Sequence, residues 1–243
     1  MEANNLLDCL ELRDEITGYW VSQAIYAAAK LGLADHFSSS ARQVEELARE
    51  TETKPDMLFR LLRALASHGI FAEDPPGSFR LTPKAELLKT DHPASLRYYS
   101  IFFGEYTYTA FSNLLTSIRT GESAFSISFG MNYFDFIADR PDAALIFNNA
   151  MGSVSLKQAE ILLKEFEFSP FKQIIDIGGG NCVLLFTILE AYPHLEGALF
   201  ELSSVISDAK ENLRKYRVDS ARVRFLEGSF FESVPECSGA FIL

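Results

Sequence analysis

The sequence contains few cysteines, and their placement excludes two common kinds of site. Only Cys9, Cys182 and Cys237 occur in 243 residues. They are odd in number and lie far apart, so they have neither the spacing of zinc ligands nor the pairing of a disulfide framework. We therefore expect reduced thiols and no bound metal.

Long apolar runs and a basic N-terminal leader are also absent. No stretch approaches the ~18 uninterrupted apolar residues of a membrane-spanning helix, and the first 15 residues carry acids where a secretory signal has basic and apolar regions. These absences predict a cytoplasmic protein with no membrane partner. Hydrophobic residues still make up 48% of the chain and include 21 phenylalanines, which indicates apolar surface for a subunit interface.

Positive charge is scarce as well. The chain has 22 lysines and arginines against 33 aspartates and glutamates, which gives a net charge of −11 at pH 7. Because an acidic surface repels a phosphate backbone, this balance argues against a nucleic-acid partner.

The first 92 residues have the pattern of a winged helix. An apolar stripe at helical spacing runs through residues 6–35, followed by a helix over 41–50 and an amphipathic helix that begins at Pro55. The runs IFAED and FRLTP, on either side of the turn PPGS, predict a β-hairpin. Residues 93–170 are mostly helical and aromatic-rich, with a break at RTGESAFSISFG and a long helix over 143–166.

The last segment, 171–243, alternates strands and helices. Strands are predicted at Ile174–Ile177, Gly197–Phe200, Val223–Leu226 and Ala240–Leu243, and helices at Val183–Ala191 and Val205–Arg214. Short crossovers between such elements require a parallel sheet. We expect the strand order 3-2-1-4 of a partial doubly wound α/β domain.

A glycine turn follows the first of these strands. Gly178 permits a bend with positive φ, and Gly180 lets the backbone approach a ligand at the N-terminus of the next helix. Asp176 can hold the loop or accept a hydrogen bond from a ligand's ammonium group. Glu201, 25 residues further on, can accept both hydroxyls of a ribose. No Walker lysine is present, so the pattern favours a ligand with a free ribose over a triphosphate.

Two other interpretations of this turn stay open. A glycine-rich turn also occurs in sheet proteins that bind nothing, and a nicotinamide site would also use the acid at 201. The dinucleotide pattern has a third glycine three residues after the second, however, and this chain has Val183 there. The spacing Asp-x-Gly-x-Gly from Asp176 is typical instead of S-adenosylmethionine sites.

Several motifs occur in one order along the chain: GYWVSQAIYAAAKLGLADHF, the winged-helix block, RTGESAFSISFG, FNNAM, IIDIGGGN, LEGALFELSSV and FLEGSFFESVP. From about Thr17 to Leu243 the chain resembles the small-molecule O-methyltransferases of the caffeate and hydroxyindole type. The resemblance implies an S-adenosylmethionine-dependent enzyme that methylates a hydroxyl, typically phenolic, of a small molecule. It implies an α/β fold with an all-α winged-helix dimerisation domain (1–92), a helical connector with acceptor-pocket helices (93–170) and a partial Rossmann-like domain (171–243). A homodimer joined through the N-terminal domain is also implied.

The resemblance carries over to individual site residues. It implies cofactor contacts for Ser155, Asp176, Gly178, Gly179, Gly180, Glu201, Ser229 and Phe230. The glycines would hold the methionine part, Ser155 the carboxylate, Glu201 the ribose, and the last two residues the adenine. Phe147 and Met151 would line the acceptor pocket, although two apolar residues four apart on a helix more often belong to a core.

Four positions depart from the family pattern. Cys182 replaces the third glycine of the turn, Ser203 a proline, Ser229 an aspartate and Gly239 an acid. A serine hydroxyl accepts a hydrogen bond more weakly than a carboxylate does. Together the changes indicate relaxed constraint or a diverged ligand.

No residue is expected to act as catalytic base. In the family a histidine of a further C-terminal segment removes the acceptor proton while the methyl group transfers in line, and none of the four histidines here matches it: His36, His68, His92 and His194. An apolar last strand would also form an exposed sheet edge. We therefore expect a truncated chain without methyl transfer or, as an alternative, a non-catalytic dimerisation or regulatory module derived from the family.

Overall fold

The computed structural model describes residues 3–38, 40–236 and 240–242. The chain forms two compact units, Met1–Ala150 and Met151–Leu243. The boundary between them falls inside one long helix. The finer division at residues 92 and 170 stays a prediction.

Helices dominate the first unit. They are α1 (Ala3–Thr17), α2 (Tyr19–Lys30), α3 (Val44–Glu50), α4 (Pro55–Ser67), α5 (Pro83–Glu86), α6 (Arg97–Phe102), α7 (Tyr108–Phe111), α8 (Leu114–Thr120), α9 (Ala124–Phe129), α10 (Tyr133–Ala138) and the first part of α11 (Pro141–Glu165). A 3₁₀ turn at Leu33–His36 follows α2, and a π-helical turn at Phe103–Thr107 joins α6 to α7. The apolar stripe predicted over residues 6–35 is therefore divided at Gly18.

A small antiparallel sheet completes the winged helix. Its strands are β1 (Arg42–Gln43), β2 (Phe71–Glu73) and β3 (Ser78–Leu81), in the order β1-β3-β2. The predicted hairpin is thus confirmed as β2 and β3. The predicted start of a helix at residue 41 is wrong, because Arg42 and Gln43 pair with β3 and α3 begins only at Val44.

The predicted break at RTGESAFSISFG is also partly wrong. Only residues 121–123 and Gly130 lie outside helices, and Ala124–Phe129 form α9. The ring of Phe125 packs against Phe129 and Phe136 with centroids 4.5 and 5.3 Å apart. This packing orders a helix that the local sequence does not favour.

The second unit is a parallel α/β sheet. It contains β4 (Gln173–Ile177), α12 (Val183–Ala191), β5 (Glu196–Glu201), α13 (Ser203–Leu213), β6 (Val223–Glu227), β7 (Ala240–Ile242) and the remainder of α11. The order β6-β5-β4-β7, parallel throughout, confirms the expected order 3-2-1-4. Continuous apolar runs in the sequence predict strands β4 and β5. Their central residues are buried, as such runs require in a parallel sheet.

The parallel arrangement positions the candidate site. The carboxyl ends of β4, β5 and β6 meet at one edge of the sheet, and the order reverses between β4 and β7. In open α/β sheets, ligands bind at such a switch point. Within the described ranges, no helix combines the length and apolarity that a bilayer crossing needs.

Candidate functional site

The glycine turn between β4 and α12 is tied to the neighbouring strand. Gly178 and Gly180 have φ angles of +74° and +57°, in the left-handed region that favours glycine. The positive φ expected at Gly178 is therefore confirmed. Its backbone N–H donates to the carbonyl oxygen of Phe200 on β5, with 2.9 Å between the atoms.

Asp176 lies beneath this turn and is only 5% exposed. A Cβ atom at Gly179 would overlap its carboxyl group, so the chain closes over the carboxylate only because residue 179 is glycine. Among the described residues, its Oδ2 atom has no hydrogen-bond partner. Burial raises the pKa of the Asp176 carboxyl to about 6, and the nearby charge of Glu201 contributes to the rise.

Glu201 ends β5 and faces the turn. Its Oε2 accepts from the backbone N–H of Gly180 at 3.2 Å, and its Oε1 accepts from that of Leu202 at 2.8 Å. Each carboxylate oxygen has more than one lone pair, so both can accept further hydrogen bonds from a ligand.

Helix α11 approaches the same turn at Gly152, a residue that the sequence motifs do not identify. A Cβ atom there would lie 3.2 Å from Nδ2 of Asn181. Ser155 follows three residues later, on the same helix face, and is half-buried. A glycine inside a helical pattern is a signal of close packing that could have marked this position.

A second missed residue anchors the turn from α13. The side chain of Asn212 is buried, and its Nδ2 donates to the carbonyl oxygen of Asn181 at 2.7 Å. The periodicity of α13 gives no indication of this contact, because the partner lies 31 residues away.

Three of the four departures from the family pattern lie within the described residues, and Gly239 lies outside them, as does Cys237. Cys182 is fully buried in the core of the second unit and has φ of +64°. This backbone conformation explains why glycine suits the position and costs a cysteine about 1 kcal/mol. Ser203 begins α13, where a proline is also favoured.

The loop after β6 brings Phe230 against the turn. Its Cε1 atom would lie 3.2 Å from a Cβ atom at Gly178, and the ring is 48% exposed. The neighbouring Ser229 uses its hydroxyl oxygen to accept from the backbone N–H of Phe231 at 3.3 Å.

The two predicted acceptor residues lie in different units. Phe147 belongs to an aromatic cluster of the first unit, with its ring 5.4 Å from Phe102 and 5.7 Å from Tyr133. Met151 is half-buried at the start of the second unit. Their role in binding an acceptor stays a prediction.

Three of the four histidines contact residues outside the turn. The His36 ring lies 3.0 Å from a carboxylate oxygen of Glu50, His92 accepts from the backbone of Ala94, and the His194 ring packs near Tyr192. The fourth, His68, is exposed after α4. In the part of the chain that the structure describes, no three histidine, cysteine or acidic residues form a metal site.

The turn therefore combines a buried carboxylate, a second carboxylate and a helix N-terminus. The first N–H groups of a helix have no partner within it and attract anions. Asp176 attracts cations instead. A site that attracts an anion at the helix N-terminus and a cation at Asp176 suits a zwitterion, such as the amino-acid end of a ligand. Glu201 then remains free to accept hydrogen bonds from the ligand's hydroxyl groups.

Two family models match the chain. An O-methyltransferase domain matches residues 111–243, and an O-methyltransferase dimerisation domain matches residues 14–91.

Individual relatives agree with these matches. Phenazine O-methyltransferase PhzM of Lysobacter antibioticus is 41% identical over 228 residues, which cover 94% of this chain and 67% of that protein. The crystal structure of LaPhzM superimposes with a TM-score of 0.88 at 40% identity and covers 97% of this chain and 70% of that one. Human N-acetylserotonin methyltransferase in complex with S-adenosylmethionine gives a TM-score of 0.80 at 25% identity, with 97% and 69% covered.

The chain is shorter than these proteins. It spans 61% to 67% of the length of three curated relatives. Both family models, the identity to the Lysobacter enzyme and the shared fold lead to one assignment: this chain belongs to the O-methyltransferase family.

Proposed function

We propose that this chain supplies the cofactor site and the dimerisation region of an S-adenosylmethionine-dependent methyltransferase that acts on a hydroxyl, typically phenolic, of a small molecule. The observation that carries the proposal is the buried, unpartnered carboxylate of Asp176 beneath the glycine turn, next to Glu201. The family assignment supports the reaction class.

The residues around the turn fit the parts of this cofactor. Asp176 would accept from the ammonium group, while Ser155 and the turn Gly178–Gly180 would hold the carboxylate end. Glu201 would accept from the ribose hydroxyls, and Phe230 would cover the adenine. When bound, the cofactor supplies an electrophilic methyl group on its sulfonium sulfur.

Two of the departures from the family pattern, those at Cys182 and Ser229, leave this arrangement intact. Cys182 lies in the core, so its thiol does not occupy the space above the turn. Ser229 holds its own loop by accepting from Phe231, and Phe230 still lies against Gly178. These contacts support cofactor binding despite the changes.

We also propose that the 243 residues alone bind the cofactor without transferring its methyl group. General-base catalysis needs a group within hydrogen-bond reach of the acceptor hydroxyl. The contacts described for His36, His92 and His194 involve no residue of the turn.

The proposed partner is a second copy of the chain. Trp20 is 62% exposed, and α1 exposes large apolar side chains at Leu6, Leu7, Leu10, Leu12 and Ile16. A largely apolar groove of about 730 Å³ lies in the first unit, lined in part by Tyr19, Tyr99, Phe103 and Phe111. The groove continues from the matched dimerisation region, which supports a homodimer that covers these surfaces.

The proposal is tested by calorimetric titration of the folded 243-residue protein with S-adenosylhomocysteine. We expect micromolar binding. The Gly179→Ala variant should lose at least about tenfold in affinity, because the added methyl group displaces the Asp176 carboxyl. Gly18→Ala is the control, since its φ of −54° is the ordinary helical value and a Cβ atom there would come no closer than 3.3 Å to the carbonyl oxygen of Glu15.

A methylation assay tests the second statement. With labelled S-adenosylmethionine and a hydroxyphenazine acceptor, we expect binding but no turnover by the 243-residue protein. Turnover would overturn the proposed inactivity and leave the cofactor site standing. A folded dimer that does not bind S-adenosylhomocysteine would instead favour the non-catalytic module.

A further inference from the structure

Asp176 is an unusual group for a protein to bury. It is the only residue of the described ranges with a buried side-chain oxygen or nitrogen that lacks a hydrogen-bond partner. Leaving such an atom unpaired costs stability, so a retained example calls for an explanation. The Oδ2 atom lies at the carboxyl end of β4, where parallel sheets bind ligands.

The groups around Asp176 do not compensate its charge. Glu201 faces it from β5 and is negative, and the buried thiol of Cys182 faces it from the start of α12. The glycines of the turn carry no side chain. None of the ion pairs found among the described residues includes Asp176.

We propose that binding of the cofactor expels a proton from Asp176, so that the affinity for the cofactor rises with pH. This inference rests on the cofactor site proposed above. The bound ammonium group supplies the positive charge that the free site lacks, and an opposite charge at close range favours the ionised carboxylate.

The direction and size of the effect follow from linkage. In the free protein, burial and the charge of Glu201 hold the pKa of Asp176 at about 6, so about half of the molecules carry the proton at pH 6. The ammonium contact lowers that pKa in the complex, and binding therefore releases about half a proton at pH 6. The dissociation constant should rise about tenfold between pH 7 and pH 5.

Calorimetry measures the released proton directly. S-adenosylhomocysteine is titrated into the 243-residue protein at pH 6 in buffers that differ in ionisation enthalpy. The slope of the observed binding enthalpy against the ionisation enthalpy of the buffer gives the number of protons released. We expect about 0.5 at pH 6, about 0.1 at pH 7 and about 0.9 at pH 5. This measurement needs no variant, so it does not depend on a substitution that could impair folding.

Two variants assign the proton to its residue. Asp176→Asn should bind S-adenosylhomocysteine more weakly at pH 7 and lose most of the dependence on pH. Glu227→Gln is the matched control, because it removes an exposed carboxylate at the end of β6, at the same edge of the sheet, and should retain the dependence. Because the four histidines are present in the parent protein and in both variants, their contribution to the pH dependence cancels when the three proteins are compared.

The outcomes separate this inference from the proposed function. Binding without proton release, or a pH dependence that survives in Asp176→Asn, would overturn the inference and leave the cofactor site in place. Absence of binding by the folded protein at every pH would refute the proposed function itself, and the inference with it.

Discussion

Asp176 should make the free protein less stable as the pH rises. Its folded-state pKa of about 6 lies above the ordinary value of 3.8. A raised carboxyl pKa favours folding below pH 3.8, and this contribution is lost as the pH rises through about 6. The two values differ by roughly two units, so at pH 8 the ionised carboxylate costs up to about 3 kcal/mol.

The Asp176→Asn variant should therefore be more stable than the parent by about 1–3 kcal/mol at pH 8. The difference should shrink towards pH 4, where both side chains are neutral. Urea unfolding of the free proteins at the two pH values measures this, with Glu227→Gln as the control. A variant less stable at pH 8 would show that the carboxylate instead supports the turn.

The sequence predicts the site residues unevenly. Gly178 and Glu201 are recognisable because a glycine turn and a strand-terminal acid are local patterns, and the structure brings both to the turn. Gly152 and Asn212 contact the turn from distant helices, and no local pattern predicts a partner so far away in sequence. The roles assigned to the predicted residues stay predictions.

At the level of elements, α12 ends on an arginine clamp. The guanidinium of Arg222 donates to three carbonyl oxygens at the end of α12 and in the loop that follows: Leu189 at 3.0 Å, Tyr192 at 2.9 Å and Leu195 at 2.7 Å. The last carbonyls of a helix have no partner within it. Arg222 thereby holds the connection between α12 and β5.

Arg222→Lys should destabilise the protein by about 1–3 kcal/mol, because an ammonium group cannot reproduce the planar fork and leaves carbonyl oxygens unpaired. Arg224→Lys, at an exposed position on β6, should change stability by less than about 0.5 kcal/mol. Urea unfolding measures both variants. If Arg222→Lys were as stable as the parent protein, water would be replacing the hydrogen bonds of the guanidinium without loss of stability.

The strands and α12 of the second unit are predictable because each is a short, local apolar run. The helix α12 spans Val183–Ala191 as expected, and the strands differ from expectation by a residue or two. The errors in the first unit have a different cause. Strand β1 depends on pairing with β3, and α9 depends on aromatic packing, so both are decided by residues remote in sequence.

At the level of the whole molecule, the protein combines exposed apolar side chains with a net charge of −11. The two features have different consequences. The charge supports solubility and the expectation of no nucleic-acid partner, and the apolar groove supports self-association. The expected cytoplasmic location stays a prediction.

The homodimer should depend on Phe111, which lines the groove and is 63% exposed. Light scattering after size exclusion should give twice the 27.2 kDa of one chain. Phe111→Asp should weaken association at least about tenfold, because it places a charge in an apolar interface. Phe231→Asp, at an exposed phenylalanine of the second unit, should remain dimeric. A monomeric parent protein, or a dimeric Phe111→Asp variant, would contradict this interface.

Because Cys182 is buried, its reaction with an alkylating reagent depends on transient opening of the second unit. Burial raises the pKa of the thiol far above its ordinary value, so a folded molecule presents no reactive thiolate there. Cys9 on α1 is exposed and accessible to an alkylating reagent from the start. The rate at which the Cys182 peptide is alkylated thus measures how often the second unit opens transiently. The rate at which the Cys9 peptide is alkylated is the reference for the reactivity of the reagent itself.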